Sequence, residues 1–203
     1  MSAKTAIHIE AVPNTASTRA VSHNSALIDA RTNRIRPNAS QMAAMAINPA
    51  ISPGTDGAIR NGVITRYAIT RTNDWLDGAS LTNFGYNGTF TRDLFEAQIA
   101  VPDFPQPLHV FVAHLKSGTS SSDDAARRAA EASAVSNFFI TVFLPTNALH
   151  PYLLAGDLNE DIAHPATGSQ QPIQRLTNQT GLQLTTPLNP ITLANFTHSI
   201  QGT

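Results

Sequence analysis

A chain of 203 residues, 41% of them apolar and 13% charged, is long enough to bury the core of one ordinary domain and too apolar to stay disordered. It carries no run of about 18 apolar residues, so no spanning helix is expected. A formal net charge of -1 speaks against a broad basic surface for nucleic acid, and the absence of cysteine excludes disulfides, thiolate metal sites and cysteine nucleophiles.

The first ten residues lack the apolar core and cleavage site of a signal peptide. The richness in Ser, Thr, Asn and Ala is similar to that of secreted bacterial proteins, so export directed by a signal upstream of Met1 is the expectation. Residues 6–12 are a short apolar run interrupted by His8 and Glu10. A polar stretch over 13–37 follows, with a weak strand signal at 26–28, and 41–47 reads as a short helix. Residues 61–69 are β-branched and bounded by turn residues, which predicts a strand. Asn87-Gly88 marks a turn before another strand over 90–101.

Residues 108–115 are apolar on both alternating faces apart from His109, the pattern of a central strand buried on both sides. Ser120 to Asp124 then reads as a helix start with acids in the first turn, and the helix is expected to reach about Phe139. Ala125, Ala129, Ala132, Val135 and Phe139 form its apolar stripe, with Arg127, Arg128 and Glu131 mostly off it. Residues 152–155 are a second buried strand, running into Gly156-Asp157-Leu158-Asn159. A short helix ending at Gly181 is expected within 172–184.

An apolar strand does not easily absorb a carboxylate at its end, because a buried charge needs a partner or a metal. Glycine before Asp157 permits a sharp bend and a close approach. Asn159, two residues on, can then face the same pocket. A carboxylate can bind a hard cation or take a proton from water, and a neutral amide can donate to a phosphate oxygen without repulsion. The plainer reading is a loop in which both side chains satisfy backbone groups. His114 favours the functional reading, since it ends the other central strand and a helix of suitable length joins the two.

Val112-Ala113-His114-Leu115-Lys116-Ser117, the arginine-bearing helix and Leu154-Ala155-Gly156-Asp157-Leu158-Asn159 together resemble the endonuclease/exonuclease/phosphatase superfamily. Gly62-Val63-Ile64-Thr65-Arg66-Tyr67-Ala68-Ile69 is similar to an upstream strand of that family, with Thr65 in place of serine and Ala68 in place of proline. Phe90-Thr91-Arg92 resembles its next strand. The likeness covers roughly residues 60 to 160. It implies an α+β, deoxyribonuclease I-like fold: a single domain over 1–203, a two-layer β-sandwich flanked by helices.

The resemblance also implies a Mg2+- or Mn2+-dependent phosphoesterase acting on a phosphodiester or phosphomonoester by in-line attack of an activated water. Asp157 would orient or deprotonate that water. Asn159 would hold a phosphoryl oxygen, and His114 would hydrogen-bond the scissile phosphate or its leaving oxygen. Arg92 would bind phosphate charge or brace the acidic residues, and Glu10 would be the metal ligand. The partner implied is a phosphate ester, nucleic acid among the candidates, met by a monomer. DNA, RNA, inositol phosphates and sphingomyelin all remain open as substrates. The family's opening asparagine strand and its closing arginine-isoleucine-aspartate strand and aspartate-histidine pair have no counterpart here, so a chain truncated at both ends is expected. His198 falls too early to be that histidine. A degenerate sandwich acting as a binding module is the main alternative. A zinc hydrolase built on His8, His114 and His150 lacks supporting ligand spacing.

Overall fold

The computed structural model describes residues 47–118, 121–160, 171–178 and 181–185 in full, and the backbone alone of five short strands nearer the termini. Those five are β1 (Ala3–Lys4), β2 (Ala6–Glu10), β3 (Ile28–Asp29), β4 (Arg34–Ile35) and β12 (His198–Ser199). The others are β5 (Asn48–Ile51), β6 (Gly62–Thr65), β7 (Ala68–Trp75), β8 (Leu94–Ala100), β9 (Leu108–His114), β10 (Tyr152–Asp157) and β11 (Gln183–Thr185). The helix expected at 41–47 lies outside the described residues except for Ile47, which is exposed and not helical.

The chain is α+β. Six strands form one mixed sheet in the order β11-β2-β10-β9-β8-β7, in which only β9 and β10 run parallel. A parallel pair needs a crossover, and the helix α1 (Ser122–Phe138) supplies it. Ser121 caps α1 by accepting from the Asp124 amide at 3.1 Å, with Asp123 and Asp124 in the first turn, as the sequence leads one to expect. The helical path continues through a π turn at Phe139–Phe143 into Leu144–Asn147.

Aromatic packing fixes α1 to one face of the sheet. Phe111, fully buried, meets Phe139 and Phe143 at 4.9 Å each and Phe138 at 5.8 Å between ring centroids. Such pairs add about 0.5–1.5 kcal/mol each beyond the area they bury. The opposite face differs from the expectation of strands buried on both sides. Along β9, buried His109, Phe111 and Ala113 alternate with half-buried Val110, Val112 and His114. β8 is nevertheless buried on both faces, with Leu94 and Glu96 on the α1 side and Phe95, Ala97 and Ile99 on the other, and the two-stranded sheet β5–β6 touches β7 and β9.

Three boundaries move. The strand expected at 61–69 divides after Thr65, where Thr65 Oγ1 accepts from the Tyr67 amide at 3.1 Å and bends the chain. β6 then pairs with β5 apart from the large sheet, and β7 joins it. The strand expected from 90 begins at Leu94. The helix α2 (Pro172–Thr177) ends short of Gly181.

Candidate active site

The carboxyl ends of β9 and β10 meet in register: Ala113 lies beside Gly156, and His114 beside Asp157. Gly156 makes this close approach possible. Its φ is 133°, and a side chain at that position would overlap the carbonyl oxygen of Ala113. The strand therefore runs through Gly156 to Asp157, and the turn comes later, at Asn159, where φ is 52°. The Leu115 amide donates to the Asp157 carbonyl at 3.0 Å, so the pairing extends just beyond β9.

His114 Nε2 and Asp157 Oδ2 are 3.8 Å apart, with side chains 17% and 31% exposed. Both point to the face opposite α1, within reach of solvent. Asp157 Oδ1 accepts from the Asn159 amide at 2.9 Å, and Asn159 Nδ2 donates to the Leu115 carbonyl at 2.9 Å. The left-handed turn thus folds Asn159 back across both strand ends. The plainer expectation, that these side chains satisfy backbone groups, holds for both, Asp157 through the Asn159 amide and Asn159 through the Leu115 carbonyl. It does not account for the approach of the second Asp157 oxygen to His114.

Arg92 is 3% exposed. Its Nη1 donates to the carbonyls of His114 at 2.9 Å and Leu115 at 3.3 Å, and its Nη2 pairs with Asp56 Oδ2 at 2.7 Å. Of the two roles expected for Arg92, this geometry suits bracing the strand end that carries His114. Asp56 was not singled out by the sequence. The amides of Ile59 and Ala58, and Arg92, together outweigh the opposing effect of desolvation and hold its carboxyl below the usual range.

Glu131 corrects the helix reading. It is fully buried, and Arg128 is 7% exposed, although both were placed off the apolar stripe. Glu131 accepts from the Thr91 amide at 2.9 Å, from the Thr91 hydroxyl, and from the Lys116 amide at 2.6 Å. Arg128 Nη1 donates to the carbonyls of Lys116 and Gly118, both at 2.8 Å. The helix thereby clamps the segment that leaves His114. An acid and an arginine at 131 and 128, one turn apart, were the available signal.

The structure does not bring Glu10 to this pair. Its backbone is in register with Leu153, while Ala6 lies beside Asp157. Four residues of strand separate the two levels, about 13 Å. The Glu10 side chain lies outside the described residues. Among the described residues no three His, Asp or Glu side chains converge as a metal site. Asp157 alone offers a carboxylate at the pair, so these residues do not by themselves fit a bound Mg2+. His114 and His150 also stand apart. His150 adjoins His109 at the start of β9, five residues and about 17 Å from His114. A zinc site shared by His114 and His150 is thereby excluded.

No family model matches the chain, and no curated protein matches it. The chain is similar to the crystal structure of sphingomyelinase C from Streptomyces griseocarneus, with 19% identity and a TM-score of 0.41. The match covers 59% of this chain and 37% of that one, so the chain spans little more than a third of the protein it resembles. Among the described residues no helix is long and apolar enough to cross a membrane.

Proposed function

We propose that the chain is a phosphoesterase of the endonuclease/exonuclease/phosphatase type, with the deoxyribonuclease-like sandwich that goes with it. The observation carrying this reading is the in-register pairing of His114 with Asp157 at two parallel strand ends, half open to solvent. Asp157 is the group to orient a water and accept its proton. His114 is placed to hydrogen-bond a phosphoryl oxygen in the protonated form, and the remaining N–H of the Asn159 amide is the second donor. Arg92, Glu131 and Arg128 hold the strand ends, so positioning and electrostatics carry the chemistry. A divalent cation would supply charge neutralisation at the phosphate. The natural substrate is then a phosphodiester or phosphomonoester.

The test is hydrolysis of bis(p-nitrophenyl) phosphate and p-nitrophenyl phosphate by the full chain, with Mg2+, with Mn2+ and with chelator. Cation-dependent turnover that falls by at least about a hundredfold in Asp157→Ala and His114→Ala supports the reading. Turnover indifferent to both substitutions overturns it. The binding-module alternative draws on the single carboxylate at the pair. It predicts that the folded chain retains a phosphate-ester ligand without cleaving it.

A further inference from the structure

At the other end of β9, on the face covered by α1, lies a second polar cluster that the proposed chemistry does not use. His109, 2% exposed, has both ring nitrogens engaged: Nδ1 lies 2.6 Å from Glu96 Oε1, and Nε2 lies 2.9 Å from His150 Nδ1. Glu96 Oε2 accepts from Asn73 Nδ2 at 2.7 Å and Trp75 Nε1 at 2.8 Å. Gln98 Nε2 donates to Glu96 Oε1 at 3.3 Å as well, so donors surround the carboxylate. Burial works against the Glu96 charge, but hydrogen bonds from His109, Trp75 and Asn73 outweigh it and hold the carboxyl at about 2. An ionised carboxylate only accepts, so the proton of neutral His109 sits on Nδ1 and the Nε2 lone pair is directed at His150.

A buried carboxylate that fixes the tautomer of one histidine, whose second nitrogen faces another histidine, is the arrangement that supports metal-bound imidazole. We propose that His109 Nε2 and His150 Nδ1 form a site for a divalent transition metal of the Cu2+, Ni2+ and Zn2+ class, with Glu96 behind His109. Two nitrogens each about 2.0–2.1 Å from one ion lie about 2.9 Å apart when they subtend a right angle, so the tetragonal geometry of Cu2+ or Ni2+ needs no change in their separation, only a turn of the rings from the line between the nitrogens toward the ion. Tetrahedral Zn2+ would need them to part by a few tenths of an ångström. On binding, the His150 proton moves from Nδ1 to Nε2, and the ion replaces the hydrogen bond between the rings. A pocket of about 250 Å³ opens on His109 but not on His150, with Asn73, Gln98 and Asn147 among its walls and Arg71 the one cation there among the described residues, and it leaves room for water as a further ligand on the His109 side. The site is independent of the His114–Asp157 pair and of any function assigned to it.

The test uses the full chain, stripped with chelator and dialysed. CuCl2, NiCl2 and ZnCl2 are titrated by calorimetry, and the Cu2+ form is read by electron paramagnetic resonance. One equivalent of Cu2+ is expected to bind most tightly, in the micromolar range, with nitrogen hyperfine structure in its spectrum. His150→Gln and His109→Gln should each remove that equivalent, Glu96→Gln should weaken it about 10–100-fold, and His114→Gln should leave it in place. His150 is half-buried, so its variant remains informative should His109→Gln fail to fold. Wild-type binding no tighter than millimolar overturns the proposal, as does a Cu2+ equivalent unchanged in folded His150→Gln.

Discussion

His114 and Asp157 are direct neighbours on two parallel strands, and their side chains approach to 3.8 Å because nothing larger than glycine separates the strands one residue earlier. Gly156 is the hinge of that relationship. Alanine there meets a backbone oxygen, which cannot swing away, at a φ of 133° that side chains rarely adopt. Gly156→Ala is therefore expected to cost on the order of 3 kcal/mol, about 6–12 °C in melting temperature for a chain of this size. Thermal denaturation followed by circular dichroism measures this. A shift below about 2 °C would show that β9 and β10 are not held this closely.

Asn159 combines a left-handed backbone with a side chain that bridges to Leu115. The two contributions separate by substitution. Asn159→Gly keeps the backbone comfortable and removes the amide, so it should stay within about 1 kcal/mol of wild-type stability. Asn159→Ala removes the amide and adds about 1–2 kcal/mol of backbone strain. If the amide also holds a phosphoryl oxygen, both variants should lose turnover alike while differing in stability. Equal melting temperatures, or activity that tracks stability, would remove Asn159 from the chemistry.

The strand-end pair was legible in the sequence because its signals are local. An apolar run ending in histidine, a helix of suitable length and an apolar run ending in Gly-Asp place the two side chains together through one crossover. Glu131 was hidden for the opposite reason. A helical stripe predicts which positions face the core but not what the core offers, and Glu131 is buried because the amides of Thr91 and Lys116 come to meet it. His109 stood out as the one polar residue within an apolar strand, but its partners Glu96 and His150 come from separate segments that no periodicity connects. Glu10 was assigned through a short pattern alone, and the register of β2 against β10 sets it beside Leu153.

Glu131 predicts a graded response at a distance from the reacting atoms. Glu131→Gln keeps the shape but replaces one accepting oxygen with an NH2 group facing a donor. A buried amide at Thr91 or Lys116 then loses its partner, at about 1–3 kcal/mol. Because Lys116 is two residues beyond His114, turnover of a phosphodiester should fall through kcat more than through KM. Glu131→Ala should be worse in stability. Wild-type kcat in Glu131→Gln would restrict the residue to folding alone.

Two buried carboxylates give stability opposite responses to pH, in separate windows. Glu96 is held at about 2 against an ordinary 4.5, so its contribution is complete above about pH 4.5 and is lost as pH falls toward 2. Asp93, fully buried, behaves in reverse. Burial pushes its carboxyl up to about 6, the Asp74 carboxylate adds to this, and hydrogen bonds from Ser52 and Asn61 oppose it. Its folded form binds the proton more tightly than the unfolded chain, so its effect is most favourable below about pH 4 and is lost as pH rises through 6. Urea unfolding between pH 2.5 and 7.5 separates them. Glu96→Gln should flatten the fall in stability below pH 4.5, although the loss of a charged partner for His109 lowers the whole curve. Asp93→Asn should flatten the decline between pH 4 and 6 while leaving the acid limb intact, since an amide oxygen can still accept from Asn61 and no charge has to form in the buried site. An Asp93→Asn curve parallel to wild type from pH 4 to 6 would mean that Asp93 ionises as readily in the folded chain as in the unfolded one.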